Sequence, residues 1–309
     1  MPYADGLTIV LGSDGFIGRH LVRTWRERGW PVHGVGRNFG DFTDPAVADA
    51  ALAEAPKAGR IFHAITQQRT GPVQYDIQGE LLAINTRIHL NVLEAWRNHQ
   101  PGAKLVSLGS SCVYPESDRP LPENAFRTGA THPSVQGYAL AKETLIVGSK
   151  TYGEQYGLSW LHCVLATVYG PGAHTEPGRS HFMAALIDRA RAARARGETR
   201  FEVWGSLETV RDLLFVDDQI DAIIAADQNF KNCLLNCAAN APVTIGACVT
   251  AIQAALNWQA DIVRPPDSFQ GTGYKSLECE RFLDATGWRP NIGLEDGVKR
   301  VLETQECWL

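Results

Sequence analysis

The stretch Leu7-Thr8-Ile9-Val10-Leu11-Gly12-Ser13-Asp14-Gly15-Phe16-Ile17-Gly18 decides the fold. Its first five residues are apolar or β-branched and predict a buried strand. Glycines follow at positions 12, 15 and 18, and then Ile17, Leu21, Val22 and Trp25 recur at helical spacing up to Gly29. Strand, glycine turn and helix in that order place a helix N-terminus where it can hold a phosphate. On this reading Gly12 permits the tight turn, Gly15 lets the backbone approach a pyrophosphate, and Gly18 allows close helix packing. Phe16 and Ile17, at the helix start, belong to the same dinucleotide site. The spacing is G-x-x-G-x-x-G.

Working outward, residues 32–35 predict a second strand, which ends in Gly36-Arg37-Asn38 with no acid to accept a ribose 2′-hydroxyl. An arginine there suits a 2′-phosphate, so the expected cofactor is NADP(H). Asp41 and Phe42 follow in a turn on the cofactor side, and Asp44-Pro45 reads as a helix start. Residues 60–65 predict a third strand whose carboxyl edge, from Ala64, lies beside the cofactor. A long helix over 80–98 carries Leu81, Ile84, Ile88, Val92 and Trp96 in a stripe that Asn85 interrupts. Residues 104–108 predict a strand that runs into Gly109-Ser110-Ser111-Cys112-Val113-Tyr114-Pro115. Hydroxyls and a thiol at the carboxyl end of a parallel strand sit where open α/β sheets bind ligands.

In the helix that follows, Tyr138 and Lys142 are four residues apart and so share a face. A nearby cation favours phenolate, so the pair can trade a proton while hydride moves to or from a carbonyl carbon. A bare Y-x-x-x-K is common; the glycine turn gives this one its weight. Residues 160–167 predict one more strand before the turn Tyr169-Gly170-Pro171-Gly172. This alternation argues for an α/β fold with a doubly wound parallel sheet. Beyond Gly172 it becomes irregular, with a loop at 174–181, a helix at 182–196, a short strand at 201–204, a helix from Val216 and a strand at 233–237. The expected division is residues 1–172 plus about 213–242 for the cofactor domain, and about 173–212 plus 243–309 for a smaller substrate domain.

The chain has 309 residues, 44% of them hydrophobic, and a formal charge of −5. That is enough to bury a large core, and it offers no basic surface for nucleic acid. No run of about 18 apolar residues suggests a membrane span, and the start lacks a signal-peptide pattern, so the expected location is the cytoplasm. Seven scattered cysteines argue against a disulfide framework. No metal site is expected: Cys233 and Cys237 lack a second ligand pair.

With these residues placed, the sequence resembles the extended short-chain dehydrogenase/reductase superfamily and, within it, the GDP-L-fucose synthases, which are 3,5-epimerase/4-reductases. The superfamily signs are the three glycines, Asn85, Ser110, Tyr138 with Lys142, Tyr169-Gly170-Pro171, Arg211-Asp212, Val216-Asp217-Asp218 and Gly287-Trp288-Arg289-Pro290. More specific are residues 108–115, Ser180-His181, and Val203-Trp204-Gly205-Ser206. The resemblance implies a Rossmann-type domain, a reductase triad of Ser110, Tyr138 and Lys142, and an epimerisation base and acid in Cys112 and His181. It implies a nucleotide-sugar substrate held by Asn85, Ser111, Thr167, Arg189, Trp204, Arg211 and Lys275, and a homodimer formed through the Asn85 and Tyr138 helices. Two positions depart from the pattern: Thr167 replaces an amide, and Gly137 replaces the proline before Tyr138. A 4-reductase alone and an NAD-recycling epimerase or dehydratase remain open. A noncatalytic NADP sensor would be expected to have lost the triad, which is intact.

Overall fold

In the computed structural model, which describes residues 3, 6–176, 178–265 and 271–305, strands and helices alternate as the pattern predicts up to residue 165. Cys307 lies outside the described residues; the other six cysteines are free thiols. The first half runs β1 (Thr8–Leu11), α1 (Phe16–Glu27), β2 (Val32–Val35), α2 (Pro45–Ala53), β3 (Arg60–His63), α3 (Val73–Asp76), α4 (Gln78–His99), β4 (Lys104–Ser110), α5 (Gln136–Tyr156) and β5 (Trp160–Leu165). The second half runs β6 (Thr167–Tyr169), α6 (Phe182–Ala195), β7 (Arg200–Glu202), β8 (Val210–Phe215), α7 (Val216–Asn229), β9 (Cys233–Cys237), β10 (Pro242–Thr244), α8 (Ile245–Ala255), β11 (Asp261–Val263), β12 (Tyr274–Lys275), α9 (Glu280–Thr286) and α10 (Leu294–Gln305).

Six strands form one parallel sheet in the order β2-β1-β3-β4-β5-β9. Helices cover both faces, which is why its strands read as nearly unbroken apolar runs: Ile9, Val10, Leu11, Ile61, Phe62, Leu105 and Val106 are fully buried. The chain leaves β1 for β2 on one side and returns to β3 on the other. The strand order therefore reverses at β1, and a crevice opens past the carboxyl ends of β1 and β3. The expected start of α2 is built as read: the Asp44 carboxylate accepts from the Ala46 amide at 2.9 Å, and Pro45 occupies the first turn.

A second sheet centres on β8, which pairs in parallel with β6 and β12 and antiparallel with β10. Its core gathers Met183, Ile187, Phe201, Phe215, Val249, Ile252 and Val298. Here the structure departs from the single strand expected over 160–167. The chain breaks at Ala166, so Leu165 ends β5 in the large sheet and Thr167 opens β6 in the small one. An apolar run reads alike in either sheet; the change of sheet depends on partners far away in sequence.

Candidate active site

The glycine turn is fastened to the tip of β2, because the amides of Gly12 and Ser13 both donate to the Val35 carbonyl, at 2.8 and 3.1 Å. Gly12 has φ +83°, and a Cβ there would come within 3.0–3.2 Å of the Ala64 and Ile65 backbone. Only glycine suits that conformation and that approach to β3. A Cβ on Gly18 would lie 1.9 Å from the Gly12 carbonyl oxygen, so α1 can sit this close only without one. Gly15 brings no side-chain cap to α1, which leaves the first-turn amides at Phe16 and Ile17 available to an anion. These features fit a dinucleotide pyrophosphate. At the tip of β2 the Arg37 side chain is 81% exposed. Asp41, exposed, accepts from the Thr43 amide at 2.9 Å in a local turn. Phe42 corrects one expectation. Its side chain is packed in the core and its carbonyl is taken by the Asn91 amide group at 2.9 Å, so it offers no side-chain contact to a cofactor.

On the other wall, α5 presents Tyr138 and Lys142 one turn apart, both buried. Lys142 Nζ donates to the Leu108 carbonyl at 3.0 Å, which ties the helix to the end of β4 just before Ser110. Ser110 Oγ in turn accepts from the Cys112 amide at 3.3 Å. Burial pulls the Lys142 ammonium down to about 7. Tyr138 goes the other way from the expected phenolate: burial and the nearby Cys112 raise its pKa well above the ordinary phenol value, partly offset by a hydrogen bond with Thr66. The reason is geometric. The ammonium lies over the Tyr138 ring, 5.9 Å from its centre, and is itself stripped of water.

The departure at Gly137 has an explanation here. Its amide donates to Gln78 Oε1 at 2.6 Å, a bond proline cannot make, and a Cβ would lie 2.2 Å from the Gln78 carbonyl oxygen. Gln78, at the start of α4, thereby docks onto the first turn of the Tyr138 helix. Asn85 corrects a second expectation. It is fully buried, its Oδ1 accepts from the Gln67 amide (2.8 Å) and Thr66 Oγ1 (3.1 Å), and its Nδ2 donates to the Gln67 and Leu81 carbonyls, both 2.8 Å. With all four positions filled, it braces the segment after β3 that carries Thr66, and has nothing left for a substrate.

The thiol of Cys112 is nearly buried and accepts from Lys275 Nζ at 3.4 Å. Lys275 is delivered by β12, whose register sets it beside Arg211 on β8. Asp212 fixes that segment, accepting from the Leu277 amide (2.6 Å) and Ser276 Oγ (3.1 Å). Arg211 spends two donors on the Val210 and Thr272 carbonyls, both at 2.7 Å; burial lowers its pKa and Cys112 raises it. His181, at the start of α6, is crowded by neighbours although part of its surface stays accessible. Burial first, then His174 and Lys275, lowers its pKa. Ser111, Cys112, His132, Tyr274 and Lys275 line a small, partly open cleft. Arg189 and Trp204 stand apart from that cleft as a stacked pair, the guanidinium 5.0 Å from the half-exposed indole and one of its terminal nitrogens buried without a partner. Thr167 opens β6, half-buried.

Beneath Lys142, the sheet register aligns His63, Ser107 and His162 on neighbouring strands. His89 of α4 meets His63 at 2.9 Å, and Ser107 meets His162 at 2.7 Å. All four are fully buried, and the three imidazoles are held neutral: His63 is pushed down to about 3, and the other two well below the ordinary value, by burial and then Lys142. Thr66, Gln78 and this row were not visible in the sequence, and Asp212 was marked there without its role in fixing the Lys275 segment. Gly137 was the one local signal pointing to Gln78.

A model of the NAD dependent epimerase/dehydratase family matches residues 8–238. The chain is 30% identical over 297 residues to a probable GDP-L-fucose synthase 1 of Oryza sativa subsp. japonica, covering 95% of this chain and 90% of that one. Its structure is similar to a GDP-6-OMe-4-keto-L-xylo-heptose reductase from C. jejuni (TM-score 0.88, 20% identity, 98% of both chains). It is also similar to a GDP-L-fucose synthetase from Naegleria fowleri bound to NADP (TM-score 0.85, 19% identity, 98% of this chain and 96% of that one).

Proposed function

The chain belongs to the NAD dependent epimerase/dehydratase family, and from that premise we propose that it is an NADPH-dependent 3,5-epimerase/4-reductase acting on a GDP-4-keto-6-deoxyhexose. The observation that carries this reading is the Lys275–Cys112 contact of 3.4 Å on the same β4 tip that holds Ser110 and Lys142. A group able to remove a carbon-bound proton and a group able to protonate a carbonyl oxygen share one cleft. In a 4-ketosugar the ketone acidifies the protons on C3 and C5, so one acid/base pair can invert both centres. Cys112, with the Lys275 amine beside its sulfur, removes the proton, and His181 returns one. The resting pocket disfavours imidazolium, whereas a nucleotide diphosphate entering it carries negative charge that acts in the other direction. Ser110 and Tyr138 hydrogen-bond the C4 oxygen as it gains charge. NADPH, when bound, supplies the hydride for C4. Tyr138 gives its phenolic proton to the oxygen, and Lys142 holds the helix and the charge balance behind it. Arg189 and Trp204 grip the nucleotide.

The test is incubation with a panel of nucleotide 4-keto-6-deoxysugars in heavy water, following NADPH absorbance and deuterium at C3 and C5. Cys112→Ser is expected to lose exchange steeply while slow reduction continues. Full exchange and an unchanged product in that variant would remove Cys112 as the base, whereas no deuterium at C3 or C5 with the parent enzyme would leave the second reading, a 4-reductase alone.

The reading extends to a homodimer. Leu90 on α4 and Leu140 and Tyr156 on α5 are 43%, 48% and 42% exposed on two helices packed together. They supply apolar surface for an isologous contact, and light scattering at micromolar concentration tests it. No described helix is long and apolar enough to cross a membrane, and the cytoplasm is the proposed location. The division into a cofactor domain and a smaller sugar domain is kept as part of the same proposal.

A further inference from the structure

We infer that Asp14 sets how strongly this chain prefers NADPH over NADH, by presenting a carboxylate to the adenosine ribose at the spot where Arg37 receives a 2′-phosphate. The inference rests on the cofactor reading above. No acid follows β2 in the sequence, yet one is there in space. Because the glycine turn is bonded to Val35, residue 14 lies against Gly36 and Arg37. Asp14 Oδ2 accepts from both the backbone N–H and Nε of Arg37, each at 3.1 Å. A Cβ on Gly36 would lie 3.1 Å from the Asp14 carboxyl carbon, so the contact leaves no room for a larger residue. Ser13 packs as closely, its Cβ 2.9 Å from where a Cβ on Gly34 would stand. The turn therefore cannot swing Asp14 away without breaking its seat on β2. Burial works against the charge, but the bonds from Arg37 outweigh it and hold the Asp14 carboxyl below its ordinary range, ionised at neutral pH.

Two opposite demands meet at this point. A 2′-phosphate is drawn to Arg37 and repelled by Asp14, and it must compete with that carboxylate for the same guanidinium. A 2′-hydroxyl, in contrast, donates to a carboxylate, as NAD sites use one. Arg19, fixed on the Gly172 carbonyl and close enough to feel both charges, adds a second cation. The balance favours the phosphate, and Asp14 narrows the margin. It also leaves NADH a partner, so the site accepts both cofactors with a moderate ratio.

The experiment is fluorescence titration of the full chain with NADPH and NADH, for the parent, Asp14→Asn, Asp14→Ser and Arg37→Ala, with a thermal melt of each. Asp14→Asn keeps the shape and removes the charge. It is expected to tighten NADPH and weaken NADH, raising the preference about tenfold, an effect that shrinks in high salt. Asp14→Ser is expected to shift the ratio the same way, and Arg37→Ala the opposite way. If both Asp14 variants melt like the parent and keep its NADPH-to-NADH ratio within about twofold, the inference fails while the cofactor reading stands. If the parent binds neither cofactor, both fail together.

Discussion

The two walls of the cleft are built by different means. The cofactor wall is made by backbone: two amides on the Val35 carbonyl, a glycine at φ +83°, and an α1 that sits where a single added carbon would lie 1.9 Å from a carbonyl oxygen. The side proposed for the sugar is made by side chains from distant segments, Cys112 after β4, His181 before α6 and Lys275 on β12, with Arg189 on α6 and Trp204 after β7 as a separate pair. One wall therefore has almost no freedom to vary, while the other varies residue by residue without disturbing the sheet.

The largest test of that contrast lies where the walls meet. Tyr138→Phe removes the proton for the C4 oxygen and is expected to lower NADPH oxidation about a thousandfold, while deuterium exchange at C3 and C5 survives because Cys112 and His181 are untouched. Loss of both activities together would mean that the walls are not separable. Next comes Gly18→Ala on the backbone wall. The clash forces the turn off β2, costing about 2 kcal/mol and roughly thirtyfold in NADPH affinity. Normal NADPH titration and an unchanged melting temperature would show that this wall is softer than its contacts imply. Smallest is Trp204→Ala on the side-chain wall: removing the platform under Arg189 is expected to raise KM for the nucleotide sugar about tenfold, leave kcat nearly unchanged and leave NADPH binding alone. A fall in kcat of the same size would place Trp204 nearer the chemistry than its 51% exposure suggests.

The contrast also explains what could be read from the sequence. The glycine turn, β1, β2, the Asp44 cap and the Tyr138–Lys142 pair are local patterns, each decided within one turn or strand, and the structure has them where the sequence placed them. What escaped depends on distances between segments. Asn85 looked like a ligand-side amide because nothing in α4 announces that Thr66 and Gln67 will consume its hydrogen bonds. The Tyr138 phenol was expected to ionise because sequence shows a cation one turn away, not that the cation loses its own water. Arg37 appeared without an acidic companion because Asp14 precedes it by a whole helix and strand. Phe42 fell in a turn by its neighbours and in the core by its packing.

The row of neutral imidazoles under Lys142 makes the folded chain sensitive to acid. On unfolding, His63, His89 and His162 regain an ordinary pKa near 6.5, while in the fold burial and Lys142 keep them deprotonated. A base whose folded pKa is depressed costs stability as pH falls below its unfolded value, because the unfolded chain then binds protons that the native chain refuses. Each histidine contributes about 1.4 kcal/mol per pH unit once fully charged in the unfolded chain, so the three together give a slope of about 4 kcal/mol per unit below roughly pH 5.5. Melting temperatures are expected to fall modestly between pH 8 and 7, where the folded Lys142, held down to about 7, binds less proton than the unfolded chain, and to drop steeply from 6.5 to 5; a flat profile from 6.5 to 5 would contradict the neutral state of the row. In the laboratory, a chromatography step or storage buffer near pH 5 would act on this enzyme as a denaturant does, and crystallisation or assay screens belong on the neutral side.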